Sequence, residues 1–267
     1  MIMRYDEIIK KHYSEESKKT KDAPESTMLD QHIRQAEVDA IWGALAKIAP
    51  EFKGGLDALE IGCGNGYLLS VLAWKLPRVR FSAIEFTEEL LEIAKSRKLK
   101  NVELAQGDCR NLAFPDESFD AVFGERVLIN LLDAGDQEKA LQEISRVLKP
   151  GGYYLMVEGF KEPYENLNEA RAELGMATIS MPHHNLYFSE SAVEKLADWG
   201  LEPCDLGTEP NFLSTHYFIA RVLHEAVRTK DSKIHNTHFV KFFDQVLPRN
   251  TGNYAAIKFY SFRKARG

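Results

Sequence analysis

Acids and glycines at fixed intervals are the first residues in this chain that bear on chemistry. Glu60-Ile61-Gly62-Cys63-Gly64-Asn65-Gly66 sets a glycine at every second position behind an acid. Without Cβ atoms, such a turn lets a ligand approach the backbone closely, and a helix opening just beyond it offers N–H groups and a positive dipole end. About twenty residues past the turn stands Glu85, and further on Asp108. A carboxylate at the end of a second strand accepts from both hydroxyls of a ribose, and Phe86 beside it offers a face for adenine. Asp108 is placed to accept from an adenine amino group. Each acid also has a plainer reading, Glu85 as a helix N-terminal acid favoured by the dipole and Asp108 as a turn aspartate.

The elements that must position these groups follow from the apolar pattern. Asp57 to Ile61 reads as a short buried strand, and Tyr67 to Trp74 as an apolar helix carrying Leu68, Leu69, Leu72 and Ala73. Val79 to Glu85 is a second strand, followed by a helix with Leu90, Leu91, Ile93 and Ala94 behind Thr87 as its cap. Asn101 to Gln106 is a third strand, closed by Gly107-Asp108-Cys109, and Ala121 to Gly124 a fourth. Leu141, Ile144 and Leu148 stripe a helix broken at Pro150-Gly151-Gly152, before a fifth strand from Tyr153 to Glu158. Ahead of all this, Ile33, Ala36, Ala40, Ala44 and Ile48 recur at steps of three and four, an amphipathic helix within Met28 to Ala49 that Pro50 stops. Arg34 in its first turns reads either as a solvated face residue or as a bidentate clamp on a carboxylate. A short helix near residues 4–12 and a mobile loop up to about residue 27 precede it. Strand–helix alternation of this kind predicts an α/β fold.

The totals narrow the function classes. A length of 267 residues allows one or two domains, and 44% hydrophobic with 28% charged residues is ordinary for a globular protein. A net charge of −6 argues against a general nucleic-acid binder. No apolar run is long enough to span a bilayer, and the charged start is not a signal peptide. Cys63, Cys109 and Cys204 are widely spaced, which suggests neither a metal site nor a disulfide framework, and a reducing cytoplasm is the simplest compartment. The expected partners are a small molecule, with no nucleic acid and no membrane, and a monomeric or homodimeric state.

The glycine spacing separates nucleotide ligands. A dinucleotide turn needs G-x-G-x-x-G, and Tyr67 occupies the place of its third glycine. The E-x-G-x-G-x-G pattern instead resembles the first motif of the class I S-adenosylmethionine-dependent methyltransferases. So do G-D-x-R-x-L-x-F-P-D-x-S-F-D at 107–120 and Glu143 to Gly152, so that blocks in the right order cover residues 57–158. The resemblance implies a Rossmann-like seven-stranded, mostly parallel sheet with helices on both faces. It divides the single domain into a helical N-terminal cap over 1–50, a cofactor core over 51–160 and substrate-side insertions at 160–188 and 208–250. It further implies S-adenosyl-L-methionine as cofactor, leaving as S-adenosylhomocysteine. The contacts it implies come from Arg34, Glu60, Gly62, Gly64, Gly66, Glu85, Phe86, Asp108, Cys109 and Glu125. Glu60 stands where many relatives carry Asp, and is expected near the cofactor amine.

The acceptor must be read from the insertions. His184-Asn185-Leu186-Tyr187, Ser214-Thr215-His216-Tyr217 and Ala220-Arg221-Val222, with the block 125–131, are similar to a bacterial subfamily associated with small molecules of surface-polysaccharide pathways. On that footing the acceptor is a hydroxyl of a sugar or phosphorylated metabolite, and Asn185, Tyr187 and Tyr217 face it. Imidazole titrates near neutrality, so His184 is the first candidate for a general base, with His183 and Glu158 behind it. Each histidine reads equally as a structural or surface group. Arg171 and Arg221 bind an anionic acceptor or serve in surface salt bridges. Competing functions are N-methyl transfer to a small metabolite, cofactor binding without turnover, and nicotinamide-dependent oxidoreduction.

Overall fold

A computed structural model describes residues 5–20, 28–228 and 237–266. Of the mobile loop expected between the first helix and residue 27, residues 13–20 are helical instead, and 21–27 lie outside the described residues. Strands β1 (Asp57–Ile61), β2 (Arg80–Glu85), β3 (Val102–Gln106), β4 (Phe119–Glu125), β5 (Leu148–Gly159), β6 (Leu201–Pro203) and β7 (Ile257–Lys264) form one sheet in the order β3-β2-β1-β4-β5-β7-β6. The first five are mutually parallel, and β7 runs antiparallel between β5 and β6. The chain has the seven-stranded, Rossmann-like methyltransferase architecture that the motifs implied.

Side-chain alternation splits the core into two layers. Tyr153, Leu155 and Val157 of β5 face one layer with Phe81, Phe123 and α2 (Gln31–Ile48). Tyr154 and Met156 face the other, with Val122 and the α5 (Ala134–Val147) stripe Leu141, Ile144 and Val147. On the first layer, α3 (Tyr67–Lys75) adds Leu68, Leu69 and Leu72. Asp30 caps α2, accepting from the His32 and Ile33 amides, which explains why the helix starts three residues inside the segment that begins at Met28. Thr87 precedes α4 (Glu88–Ser96) but makes no side-chain cap bond. Its amide instead donates to Glu85 at 2.8 Å.

The insertions hold elements the apolar pattern did not foresee. α6 (Lys161–Glu173) follows β5 directly. Between β6 and β7 one helix runs through α7 (Ser214–Phe218), a π turn over Ile219–Leu223, and α8 (His224–Val227); α9 is His238–Val246. The segment behind Ser189 is a 3-10 helix, Glu190–Trp199, ended by Gly200 in the left-handed region. At the N-terminus, α1 (Tyr5–Thr20) is twice as long as its sparse apolar residues predict.

Glu158 is only 1% exposed and lies off the cavity described below. Its carboxylate accepts from the amides of Val127, Leu128 and Ile129 at 2.9, 2.8 and 3.1 Å. The expectation of a general base at this position is therefore replaced by a structural one, because both oxygens are committed to the turn after β4. Burial outweighs these bonds and raises its pKa to about 7. The native state thus holds a proton that the unfolded chain has released above about 4.5, so this group's contribution to stability falls as pH rises from 4.5 to 7. A shift of that size corresponds to roughly 3 kcal/mol. Glu158→Gln is expected to flatten the stability–pH slope in this window, and Glu158→Ala to cost about 3 kcal/mol by orphaning buried amides. Urea titrations at several pH values check both.

Candidate functional site

The glycine turn sits at the carboxyl end of β1, where open α/β sheets bind their ligands. Gly62, Gly64 and Gly66 have φ of 64°, 54° and 72°, all left-handed. A Cβ on Gly62 would stand 2.6 Å from the Val127 side chain, and one on Gly66 2.9 Å from Ala94. Glycine is therefore demanded twice over, by conformation and by space. Glu85 locks the turn from the next strand, accepting the Gly64 amide with one oxygen and the Thr87 amide with the other, both at 2.8 Å.

A cavity opens above this turn. Its walls include Arg34, Glu60, Gly62, Gly64, Glu85, Phe86, Asp108, Cys109 and Glu125. Gly66 lies one step away, as the N-cap of α3. Strand ends, the turn and α2 thus gather nearly all the residues proposed for cofactor contact around one space.

The electrostatics of that space are unusual. Glu60 is 2% exposed, its Oε2 makes no hydrogen bond, and its pKa is pushed well up by burial and by the charges of Glu125 and Glu85. A buried acid without a donor is costly unless a ligand completes it. Arg34 is ion-paired with Glu125 and lies 3.8 Å from Glu37, while its own Nε is buried without a partner. Three carboxylates around one void call for a cation, and an unfilled guanidinium N–H beside them calls for an acceptor. An amino acid's ammonium and carboxylate, with a sulfonium nearby, supply that combination.

At the adenine end, Asp108 is held by Arg110 through Nε at 2.9 Å and Nη2 at 2.6 Å. Arg110 also meets Asp136 at 2.9 Å, Asp6 at 3.1 Å and the Tyr5 hydroxyl at 2.6 Å. The sequence reading passed over Arg110, although an arginine two residues after an aspartate in a turn is a recognisable fork-to-carboxylate pair. It fastens α1 over the cavity, with Tyr5, Asp6, Ile9 and Tyr13 as the roof. Asn130 donates to the Tyr13 hydroxyl at 2.9 Å, and Lys10 lies 4.6 Å from the Phe86 ring.

Beyond Arg34 the charges continue outward. Glu37 is fully buried between Arg34 and Arg126, 3.1 Å from Arg126 Nε, with a pKa raised by burial to about 7. Arg126 itself takes φ 56°, a strained setting for a non-glycine residue and one typical of functional sites. Tyr217 lies in the field of Arg221, Tyr187, Glu37 and Arg126, and the Arg221 guanidinium stacks 4.1 Å from its ring. The π turn that carries Arg221 is also a common feature of functional helices. Glu37 and Arg126 were not foreseen, since a glutamate inside a helix stripe carries no sign that it faces inward.

The remaining candidates stand apart from the cavity. His184 stacks on His12 of α1 at 3.8 Å, and His183 lies 5.2 Å from His184, at the seam between the roof and the 181–187 loop. The Asn185 amide donates to the Pro182 carbonyl. Tyr187 packs against Gly159 and the Tyr164 ring. Arg171 spends its guanidinium on the carbonyls of Ala177 and Arg221. Among the described residues, His32, His216 and Asp244 form a group with metal-ligand atoms. The two imidazoles are nearly parallel, 12° apart at 4.1 Å, so one ion would not lie in both ring planes. The group is instead a hydrogen-bonded staple, His216 bridging Asp30 at 2.9 Å and Asp244 at 2.8 Å.

Comparison with known proteins agrees with this geometry. Residues 58–152 match the family model described as a methyltransferase domain. A demethylmenaquinone methyltransferase of Desulfitobacterium hafniense (strain Y51) is 32% identical over 171 residues, 59% of this chain and 66% of that protein. The chain spans less than two thirds of the length of the first curated relatives it matches. Among solved structures, a chain of the Haloferax volcanii complex containing the Trm112 methyltransferase activator superposes with a TM-score of 0.60 at 18% identity, covering 91% of this chain and 97% of that one. The [4+2]-cyclase SpnF does so with a TM-score of 0.56 at 22% identity, covering 86% and 82%. Residues 58–152 are thus similar to a methyltransferase domain, set within a fold that these solved structures share.

Arg110→Ala removes the fastening of the roof while leaving the glycine turn untouched. It is expected to speed amide exchange in α1 and weaken S-adenosylhomocysteine binding about tenfold, equivalent to about 1.4 kcal/mol. Hydrogen exchange and calorimetry of the same variant check the two effects together.

Proposed function

We propose that the protein is an S-adenosylmethionine-dependent methyltransferase acting on a small hydroxylated ring of the quinol type. The observation that carries the cofactor is Glu60, a buried carboxylate without a donor, in a cavity it shares with Glu85 and Glu125. In this reading Glu60 and Glu125 hold the amino group, and the Arg34 N–H that lacks a partner takes the carboxylate. Glu85 reaches the ribose hydroxyls with its remaining lone pairs, and Asp108, fixed by Arg110, takes the adenine amino group beside Phe86. When bound, the cofactor supplies an electrophilic methyl group on a sulfonium.

The acceptor side is read from the charged wall beyond Arg34. Arg126 and Arg221 stabilise a developing oxyanion, the rings of Tyr13 and Tyr217 exclude water, and Glu37, with a pKa raised to about 7, receives the acceptor proton. Holding donor and acceptor in line contributes up to roughly 7–11 kcal/mol, and a positioned base about 10²–10⁴ in rate. The aromatic and cationic lining and the name of the Desulfitobacterium relative support a quinol ring over a sugar or phosphorylated acceptor. The commitment of Arg171 to backbone carbonyls leaves less cationic surface for a phosphate than the sequence promised. SpnF, a [4+2]-cyclase, carries the same fold, so the fold alone does not establish methyl transfer.

Calorimetric titration with S-adenosylmethionine and S-adenosylhomocysteine tests the cofactor. Glu60→Gln, which removes charge without loosening the turn, is expected to weaken binding at least tenfold; Glu85→Ala, which also frees Gly64, is expected to weaken it further. Absence of binding to either ligand would overturn the reading. Isotope transfer from labelled S-adenosylmethionine to a soluble naphthohydroquinone, compared with sugar and phosphorylated acceptors, tests the acceptor. Glu37→Gln should lower kcat at least a hundredfold with little change in cofactor affinity.

A further inference from the structure

The helix α9 is the least buried in the second insertion. Of its nine residues, only Val240 is buried. Phe242 and Val246 are 57% and 56% exposed, Phe239 and Leu247 are 38% and 40% exposed, and Phe243 is partly covered. At 100° per residue Phe239, Phe242, Phe243 and Val246 share one sector, flanked on one side by the inward Val240 and Asp244 and on the other by His238, Lys241 and Gln245. The neighbouring helix leaves Leu223 and Val227, one turn apart, 37% and 68% exposed. The His224 ring lies 5.5 Å from that of Phe239, so the two helices meet beside this face.

Charge selects the occupant. The chain is acidic overall, at −6. On α9, however, the lone acid, Asp244, is turned inward onto His216 and His32. The exposed ionisable groups on this helix and the turn after it are His238, Lys241 and Arg249, all basic or titrating to a cation. A short helix with an aromatic sector bordered by cations is the pattern of a helix lying in the plane of a bilayer surface. A second copy of this chain would instead bring the same cations against each other across a two-fold axis.

We propose that α9, with Leu223 and Val227 beside it, docks the protein on the surface of an anionic membrane, the aromatic sector entering the headgroup boundary and Lys241 and Arg249 meeting lipid phosphates. No described helix is long and apolar enough to cross a membrane, so the contact is peripheral. It revises the expectation of no membrane partner, and it stands independently of the acceptor's identity. The face belongs to the same insertion as Tyr217 and Arg221, so docking would place that side of the molecule where lipid-soluble acceptors reside.

Vesicle flotation tests this with the full chain. Vesicles of phosphatidylcholine with about one third phosphatidylglycerol are expected to carry the protein, and pure phosphatidylcholine vesicles far less. Phe242→Ser with Val246→Ser should reduce partition at least tenfold, and Lys241→Glu with Arg249→Glu should abolish the preference for anionic lipid. All four positions are exposed, and unchanged S-adenosylhomocysteine binding shows that the variants fold. Failure of wild-type protein to float with either vesicle would overturn the proposal. So would a dimeric mass in solution that Phe242→Ser converts to monomer, which would make this face a contact between copies. Flotation without methyl transfer to any quinol would leave docking intact and refute the acceptor reading alone.

Discussion

The Glu85 carboxylate is the constraint on which the site depends. One oxygen holds the Gly64 amide of the turn after β1, and the other holds the Thr87 amide at the start of α4. Two adjacent strand ends are thereby fixed to one another by a group that also faces the cavity. Burial raises the Glu85 pKa, while the hydrogen bonds from Thr87 and Gly64 work against that rise. The cradle is preorganised because the carboxylate that faces the cavity also builds the turn beneath it. Across the cavity Glu158 does the equivalent work on the turn after β4, whose Val127 side chain packs where a Cβ of residue 62 would fall. The two glutamates thus set the two sides of one gap.

A second tier of polar contacts joins this core to the added segments. Asp30 caps α2 and accepts from His216 of α7, and Asp244 of α9 holds the other ring nitrogen of the same imidazole. Burial opposes protonation of His216, but the bonds to Asp244 and Asp30 raise its pKa overall. An imidazolium between two carboxylates therefore ties the helix bearing Arg34 and Glu37 to the insertion bearing Tyr217 and Arg221. Two walls of charged and aromatic side chains are positioned by one ionic staple. Removing one partner from such a buried set leaves an uncompensated charge, which is why it behaves as a unit.

The roof is built differently. α1 contributes Ile9 as its buried apolar residue and otherwise holds on through Tyr5, Asp6, Tyr13 and Ser14, whose partners are Arg110, Asp136, Asn130 and Glu89. Polar contacts of this kind stabilise modestly and exchange readily with water. An element held in this way opens at lower free energy than the packed core beneath it.

The succession of the first five strands along the chain and the place of the cradle were set by local pattern. β1 runs from Asp57 to Ile61 as the apolar run indicated, and the spacing of Gly62, Gly64 and Gly66 alone distinguished this turn from a dinucleotide loop. These features are legible because backbone conformation and two-residue alternation act over a few positions. The burial of Glu37, the orientation of Asp244, the clasp of Arg110 and the commitment of Glu158 to three amides were decided only by tertiary structure. Each depends on a partner at least 26 residues away in the chain, and a charged side chain looks the same in sequence whether it faces solvent or a buried counter-charge. His184 shows the converse: a motif suggested chemistry, and packing set its ring against His12 at the seam of the roof. Residue type and spacing fixed what the cofactor turn is, and long-range packing decided which charges are available beside it, because desolvation and pairing are properties of the folded neighbourhood.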